Sequence, residues 1–263
     1  MTSLRLLDAT LDATLDVTLV PEGQDDVARP LVFLHEGLGS IGLWRGFPER
    51  VRAQCGNPTC LVYSRAGYGN SDLPELPRPT SYMHHEATTV LPSVLAQTGI
   101  ERPVLIGHSD GASIALLYAA VGHPVAGLVL IAPHVFVEPI TLRAIEAART
   151  AYESGTLRAK LDRHHRNVDA AFRGWCEVWL SEEFRSWNIE DCLATIACPV
   201  FVVQGDIDPY GSDAHMRVIE GRVRAPVTSL MVLGAGHAPH LEAEAQTISA
   251  ISTFVASLNR DAP

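Results

Sequence analysis

A chain of 263 residues, 47% hydrophobic and 19% charged, is long enough to bury the core of one large α/β domain and too long for a small stapled scaffold. Its formal net charge of −10 argues against nucleic acid or an anionic membrane surface as a partner, and no apolar run approaches the roughly 20 residues needed to span a bilayer. Five cysteines (Cys55, Cys60, Cys176, Cys192 and Cys198) make an odd count without a C-x-x-C pair. Neither a disulfide framework nor a zinc site is expected; reduced, buried thiols in a cytoplasm are.

The N-terminal "MTSLRLLDATLDATLDVTL" lacks a basic start followed by a continuous apolar stretch, so it is not read as a secretory leader. Its "LDAT" echo is too short for a solenoid and predicts one short edge strand with a duplicated flank. "PLVFLHE" reads as a buried strand, "LWRGFPERVRAQ" as an amphipathic helix and "TCLVYSRA" as the next strand. A Gly/Pro-rich loop leads into "SYMHHEATTVLPSVLAQTG", a helix with Ser81 as its cap and a bend expected at Pro92. "PVLIGHS" is a strand, "GASIALLYAAVG" a helix and "VAGLVLIAP" a strand. "CPVFVVQGDID" and "TSLMVLGAG" are later strands, and "EAEAQTISAISTFVASL" is a closing helix. Short apolar runs alternating with helices predict an α/β fold with a mostly parallel sheet covered on both faces. The alternation fails between about 134 and 197, which is helical, charged outside and carries Trp175, Trp179 and Trp187. The expected organisation is one domain with core segments at about 1–133 and 198–263 and a helical cap inserted at about 134–197. The tryptophans are expected to pack the cap onto the body, with Trp175 or Trp179 as candidates for an apolar pocket.

The most informative stretch is "VLIGHSDGASIALL". An apolar strand stops at Gly107, an apolar helix begins after Gly111, and His108, Ser109 and Asp110 occupy the joint. A serine hydroxyl is a weak nucleophile that must be presented in the open beside a base. A tight strand-to-helix turn does this at the cost of a strained backbone at the serine and flanking positions too crowded for side chains. Ser109 would then lie near a helix N-terminus, with the Asp110 N–H aimed at a developing oxyanion. An acid and a histidine should follow in that order. "QGDIDPYGS" offers Asp206 and Asp208 after one strand, and "GAGHAPH" offers His237 after the next. His237 is the expected general base, held by an aspartate.

With these residues in view the chain resembles the α/β-hydrolase superfamily over essentially its whole length. "LVFLHEGLGS" is similar to the strand and oxyanion loop, "YSRAGYGNSD" to the following strand and loop, "IGHSDG" to the nucleophile elbow, "QGDID" to the acid loop and "GAGH" to the histidine loop. The resemblance implies Asp208 as the acid, with Asp206 a loop carboxylate and Glu138 an alternative acid after the preceding strand. It implies the Gly37 N–H as the other oxyanion donor, with Leu38 possible. Where relatives commonly have His-Gly, this chain has His35-Glu36. The Glu36 side chain is expected to turn away and pair with a nearby loop through Arg65, or else to shape the pocket. His35 is expected to support the loop, His108 to pack under the elbow, His240 to support the His237 loop and His134 to be a pocket candidate. The pairs His84-His85 and His164-His165 are expected on the solvated surface. No metal-ligand spacing and no nucleotide motif is present, so no cofactor is expected.

The resemblance thus implies a serine hydrolase acting on an ester, thioester or lactone; a cap of this size suits a small or medium, partly apolar substrate, and the chain is expected as a monomer or, paired through an edge strand or the cap, a homodimer. A meta-cleavage C–C hydrolase or cofactor-free perhydrolase would use the same residues. A ligand-sensing binding protein is the alternative from another class.

Overall fold

The computed structural model describes residues 2–8, 13–21 and 29–260. Eight strands form one sheet in the order β1-β2-β4-β3-β5-β6-β7-β8. Strand β1 (Thr2–Asp8) pairs antiparallel with β2 (Ala13–Val20), and β2 pairs antiparallel with β4 (Cys60–Ser64). The strands β3 (Leu31–Leu34), β5 (Val104–His108), β6 (Gly127–Ile131), β7 (Val200–Gly205) and β8 (Val227–Val232) complete the parallel part together with β4. This is the α/β-hydrolase fold. The N-terminal segment is two paired strands rather than the single short strand expected, because apolar residues alternate on both sides of the echo, at Leu4 and Leu6 and again at Leu15, Val17 and Leu19. Leu6 pairs with Leu15, and Leu15 and Val17 are fully buried.

Period-two alternation divides the strand residues between two layers. Val32, Leu34, Leu61, Leu105, Leu128 and Val202 join one apolar core, packed by α3 (Leu91–Thr98) and α4 (Asp110–Ala120). Leu31, Phe33, Val62, Ile106, Val129 and Val203 join the other, closed by α1 (Phe47–Gln54) and α10 (Glu244–Arg260). Both faces of the central strands are therefore apolar, as parallel strands require.

Helix α2 (Tyr82–His85) passes into α3 through a π-helical turn, Glu86–Val90. Pro92 has no N–H to donate, and the wider turn just before it absorbs the loss. Ser81 precedes α2 without a side-chain cap hydrogen bond, contrary to expectation. Between β6 and β7 run α5 (Pro139–Glu153), α6 (Thr156–Leu161) and α7 (Val168–Leu180), with short 3-10 turns at Glu183–Ser186 and Glu190–Thr195. Their Phe172, Trp179, Phe184 and Trp187 belong to the same core as α4. Helix α8 (Ala214–Arg222), between β7 and β8, was invisible in the sequence because it buries only His215 and Ile219. Helix α9 (Pro239–Glu242) is a single turn before α10.

Candidate active site

Parallel strands end on one edge of the sheet, so the loops after β3, β5, β7 and β8 converge there. After β5 the chain turns sharply. Ser109 has φ 53° and ψ −117°, a strained conformation for a residue with a side chain. Its N–H donates to the Ile131 carbonyl at 2.9 Å, which ties the turn to β6. A Cβ on Gly107 would stand 2.3 Å from the Gly111 carbonyl oxygen, and one on Gly111 would stand 2.0 Å from that of Leu34. Backbone occupies the space on both sides of the serine, so only glycine fits at either position.

His237, after β8, lies with Nδ1 2.8 Å from Asp208 Oδ2. That bond places a proton on Nδ1 and leaves Nε2 free to accept. Asp208 also accepts from Gln204 Nε2 at 2.9 Å and from the Tyr210 N–H at 2.8 Å. Burial alone would raise its carboxyl, but the bond to His237 and these further donors outweigh it and hold the group below the usual range. His108 does more than pack: its Nε2 donates to the His237 carbonyl at 2.7 Å and so fixes the histidine loop to the elbow. His240 is buried beside Trp44, Phe47 and His108, and burial keeps it neutral.

The loop after β3 is shaped by Arg65, at the end of β4. Its guanidinium donates to the His35 carbonyl at 2.5 Å and to the Glu36 carbonyl at 2.9 Å, and lies 3.9 Å from Asp110 Oδ2. Both Arg65 and Asp110 are buried. Burial raises the Asp110 carboxyl despite the guanidinium, and Tyr82 Oη donates to it at 2.5 Å. His35 accepts the Arg65 N–H on Nε2 at 3.1 Å and donates from Nδ1 to the Glu36 carbonyl at 2.7 Å, a supporting part as expected. The expected Glu36–Arg65 ion pair is not what forms, since Arg65 takes the Glu36 backbone instead. The Glu36 carboxylate faces His108 Nδ1 at 3.5 Å. Burial would raise it, yet His108 and His35 hold it well below the usual carboxylate range.

A cavity of about 110 Å³ opens over these loops. Ser109, His237, Gly37 and Asp110 line it, as do Glu36, Leu38, His134, Trp175 and Trp179. Asp208 stands behind His237. Thr141, Ile145 and Tyr210 complete the wall without having been marked in the sequence, where nothing distinguishes them from ordinary helix and loop residues. His134 is buried and held neutral by that burial, its ring centroid 5.7 Å from that of His237.

Two expectations change. His165 is buried rather than solvated: Nδ1 accepts the Gly69 N–H at 3.0 Å and Nε2 donates to the Leu38 carbonyl at 2.9 Å. A buried histidine between two backbone groups leaves no periodicity for the sequence to show. His237 Nδ1 is bound by Asp208, and Glu138 instead accepts from the Ser212 N–H and hydroxyl, each at 2.8 Å, with His215 Nε2 at 3.0 Å. The contact with His215 and the two Ser212 donors lower its carboxyl to about 2. Asp206 accepts the Gly234 N–H at 2.6 Å and holds a loop.

The Alpha/beta hydrolase family profile matches residues 31–250. A proline iminopeptidase of Lactobacillus delbrueckii subsp. lactis is 32% identical over 89 residues, 34% of this chain and 30% of that protein. A human (lyso)-N-acylphosphatidylethanolamine lipase is 31% identical over 102 residues, 39% of this chain and 28% of that protein. The matched stretches thus span under a third of the length of these curated relatives. Among solved structures, a proline iminopeptidase of Mycobacterium smegmatis superposes with a TM-score of 0.77 at 20% identity, covering 100% of both chains. An enol-lactonase of Burkholderia xenovorans LB400 superposes with a TM-score of 0.74 at 15% identity, covering 96% of this chain and 100% of its own. At such identities the likeness is one of fold. Among the described residues no helix is long and apolar enough to cross a membrane.

Proposed function

The chain belongs to the alpha/beta hydrolase family, and from that premise we propose that it is a serine hydrolase cleaving a small or medium, partly apolar carboxylic ester, thioester or lactone through an acyl-enzyme. One observation carries the reading. The strained Ser109 and the Asp208-bound His237 line the same cavity, with the Gly37 and Asp110 backbones beside them.

In this reading Ser109 Oγ attacks the substrate carbonyl while His237 Nε2 takes its proton. Asp208 fixes the tautomer and stabilises the imidazolium that forms. The backbone N–H groups of Gly37 and Asp110 hold the oxyanion, at the N-terminus of α4 where the helix dipole favours negative charge. As the tetrahedral adduct collapses, His237 returns the proton to the leaving group, and a water activated by the same imidazole releases the acid. The helices between β6 and β7 act as a cap whose Trp175 and Trp179 give the pocket apolar walls. The modest cavity favours compact acyl groups, in keeping with the esterases and lactonase among proteins of the same fold.

The test is intact-mass analysis after a fluorophosphonate, for the wild type, Ser109→Ala and His237→Ala, with turnover of a p-nitrophenyl ester series and an acyl-CoA. A single adduct lost in both variants, with ester turnover, supports the reading. A folded wild type that forms no adduct overturns it.

A further inference from the structure

The indole nitrogen of Trp175 is unlike the other three in the chain. Trp179 Nε1 donates to Tyr82 Oη at 3.1 Å, and the nitrogens of Trp44 and Trp187 are sealed in the interior. Trp175 Nε1 has no hydrogen-bond partner among the described residues and is not sealed; its residue lines the cavity that holds Ser109 and His237. Its position is specific. A Cβ built on Gly37 would lie 2.2 Å from Trp175 Nε1 and 2.3 Å from Cδ1, so the N–H edge of the indole rests on the Gly37 Cα. Helix α7 thereby brings a polar hydrogen to the oxyanion loop itself.

We propose that Trp175 donates a third hydrogen bond to the substrate carbonyl oxygen as it becomes an oxyanion, supplementing the Gly37 and Asp110 N–H groups. The proposal rests on the serine-hydrolase reading above. Indole nitrogen is a donor only, so it can meet an oxygen but not a second N–H. The surroundings make such a donor useful. The loop carries the Glu36 carboxylate and the elbow carries Asp110, both of which disfavour new negative charge nearby. When Ser109 Oγ bonds to the carbonyl carbon, the C=O π pair moves onto oxygen and the serine proton moves to His237. The negative oxygen is where a neutral donor strengthens most between ground and transition states. On collapse the electron pair re-forms C=O, the leaving group departs with the proton from His237, and the Trp175 bond weakens again. The geometry also accounts for glycine at position 37, since any side chain there would displace the donor.

The experiment compares wild type with Trp175→Phe and with a variant carrying benzothienylalanine at 175, which keeps the bicyclic shape and replaces N–H by sulfur. Steady-state kinetics on the best p-nitrophenyl ester are read with the affinity for an alkyl boronic acid that mimics the tetrahedral adduct. The expected result in both variants is a kcat lower by roughly 10- to 100-fold with KM nearly unchanged, and a parallel loss of boronate affinity. The benzothienyl variant keeps the test valid if phenylalanine disturbs the fold. A kcat within twofold of wild type, or a loss confined to KM, overturns the proposal and leaves Trp175 as wall packing. The underlying reading fails separately, by the absence of a fluorophosphonate adduct on wild-type Ser109.

Discussion

Glu138 stands at the start of α5 and binds the loop that carries Asp208, so its charge should hold the two together. In the folded chain its carboxyl falls from an ordinary 4.5 to about 2, through His215 first and then the Ser212 donors. At about 1.36 kcal/mol for each tenfold change in proton affinity, that difference corresponds to about 3 kcal/mol. The side chain is 17% exposed, so water screens some of it, and about 2 to 3 kcal/mol is the expected contribution. The sign follows from a depressed folded value: the stability is present in full well above 4.5 and is lost as pH falls toward 2. Glu138→Gln keeps the shape and removes the ionisation. Urea unfolding at pH 7 should show the variant less stable by that amount, a drop of roughly 4 to 12 °C in Tm for a chain near this size. By pH 3 the gap should shrink to less than half. An equal gap at pH 7 and pH 3 would refute the reasoning, because it would trace the loss to geometry and not to charge.

Gly107→Ala places a methyl 2.3 Å from a backbone carbonyl that cannot turn aside. It should cost about 3 kcal/mol or more in urea unfolding, and a loss under 1 kcal/mol would contradict the crowding described at the elbow. Asp208→Asn should leave the fold and KM nearly unchanged and lower kcat by about 10⁴-fold, with a matching fall in the fluorophosphonate labelling rate of Ser109. Near-normal turnover would move the acid elsewhere.

What could be read in the sequence was whatever repeats or punctuates. The core strands announced themselves as apolar runs, and "GHSDG" stood out because two glycines flank a polar joint. Asp208 and His237 were findable because both follow apolar strands in a parallel sheet, which fixes the edge they share. Arg65, Tyr82, His165 and His215 were illegible in their roles. Each acts through one or two hydrogen bonds to residues far away in the chain: His165 reaches Leu38 and Gly69, and Tyr82 reaches Asp110 and Trp179. No local pattern encodes such reach. Helix α8 escaped for the opposite reason, having too little buried surface to leave a periodic trace.

Arg65 does not itself line the cavity, yet it grips the His35 and Glu36 carbonyls and stands beside Asp110, and Glu36 and Asp110 do line it. It is the counter-ion of the floor. Two carboxylates flank the place where a third negative charge is proposed to form, and a guanidinium that stays protonated at every working pH offsets them from beneath. Lysine could supply the charge but not the planar fork that grips two successive carbonyls. The consequence is that the loop bearing Gly37 takes its shape from the rigid end of β4 before any ligand arrives, so the ordering of that loop belongs to folding and not to turnover.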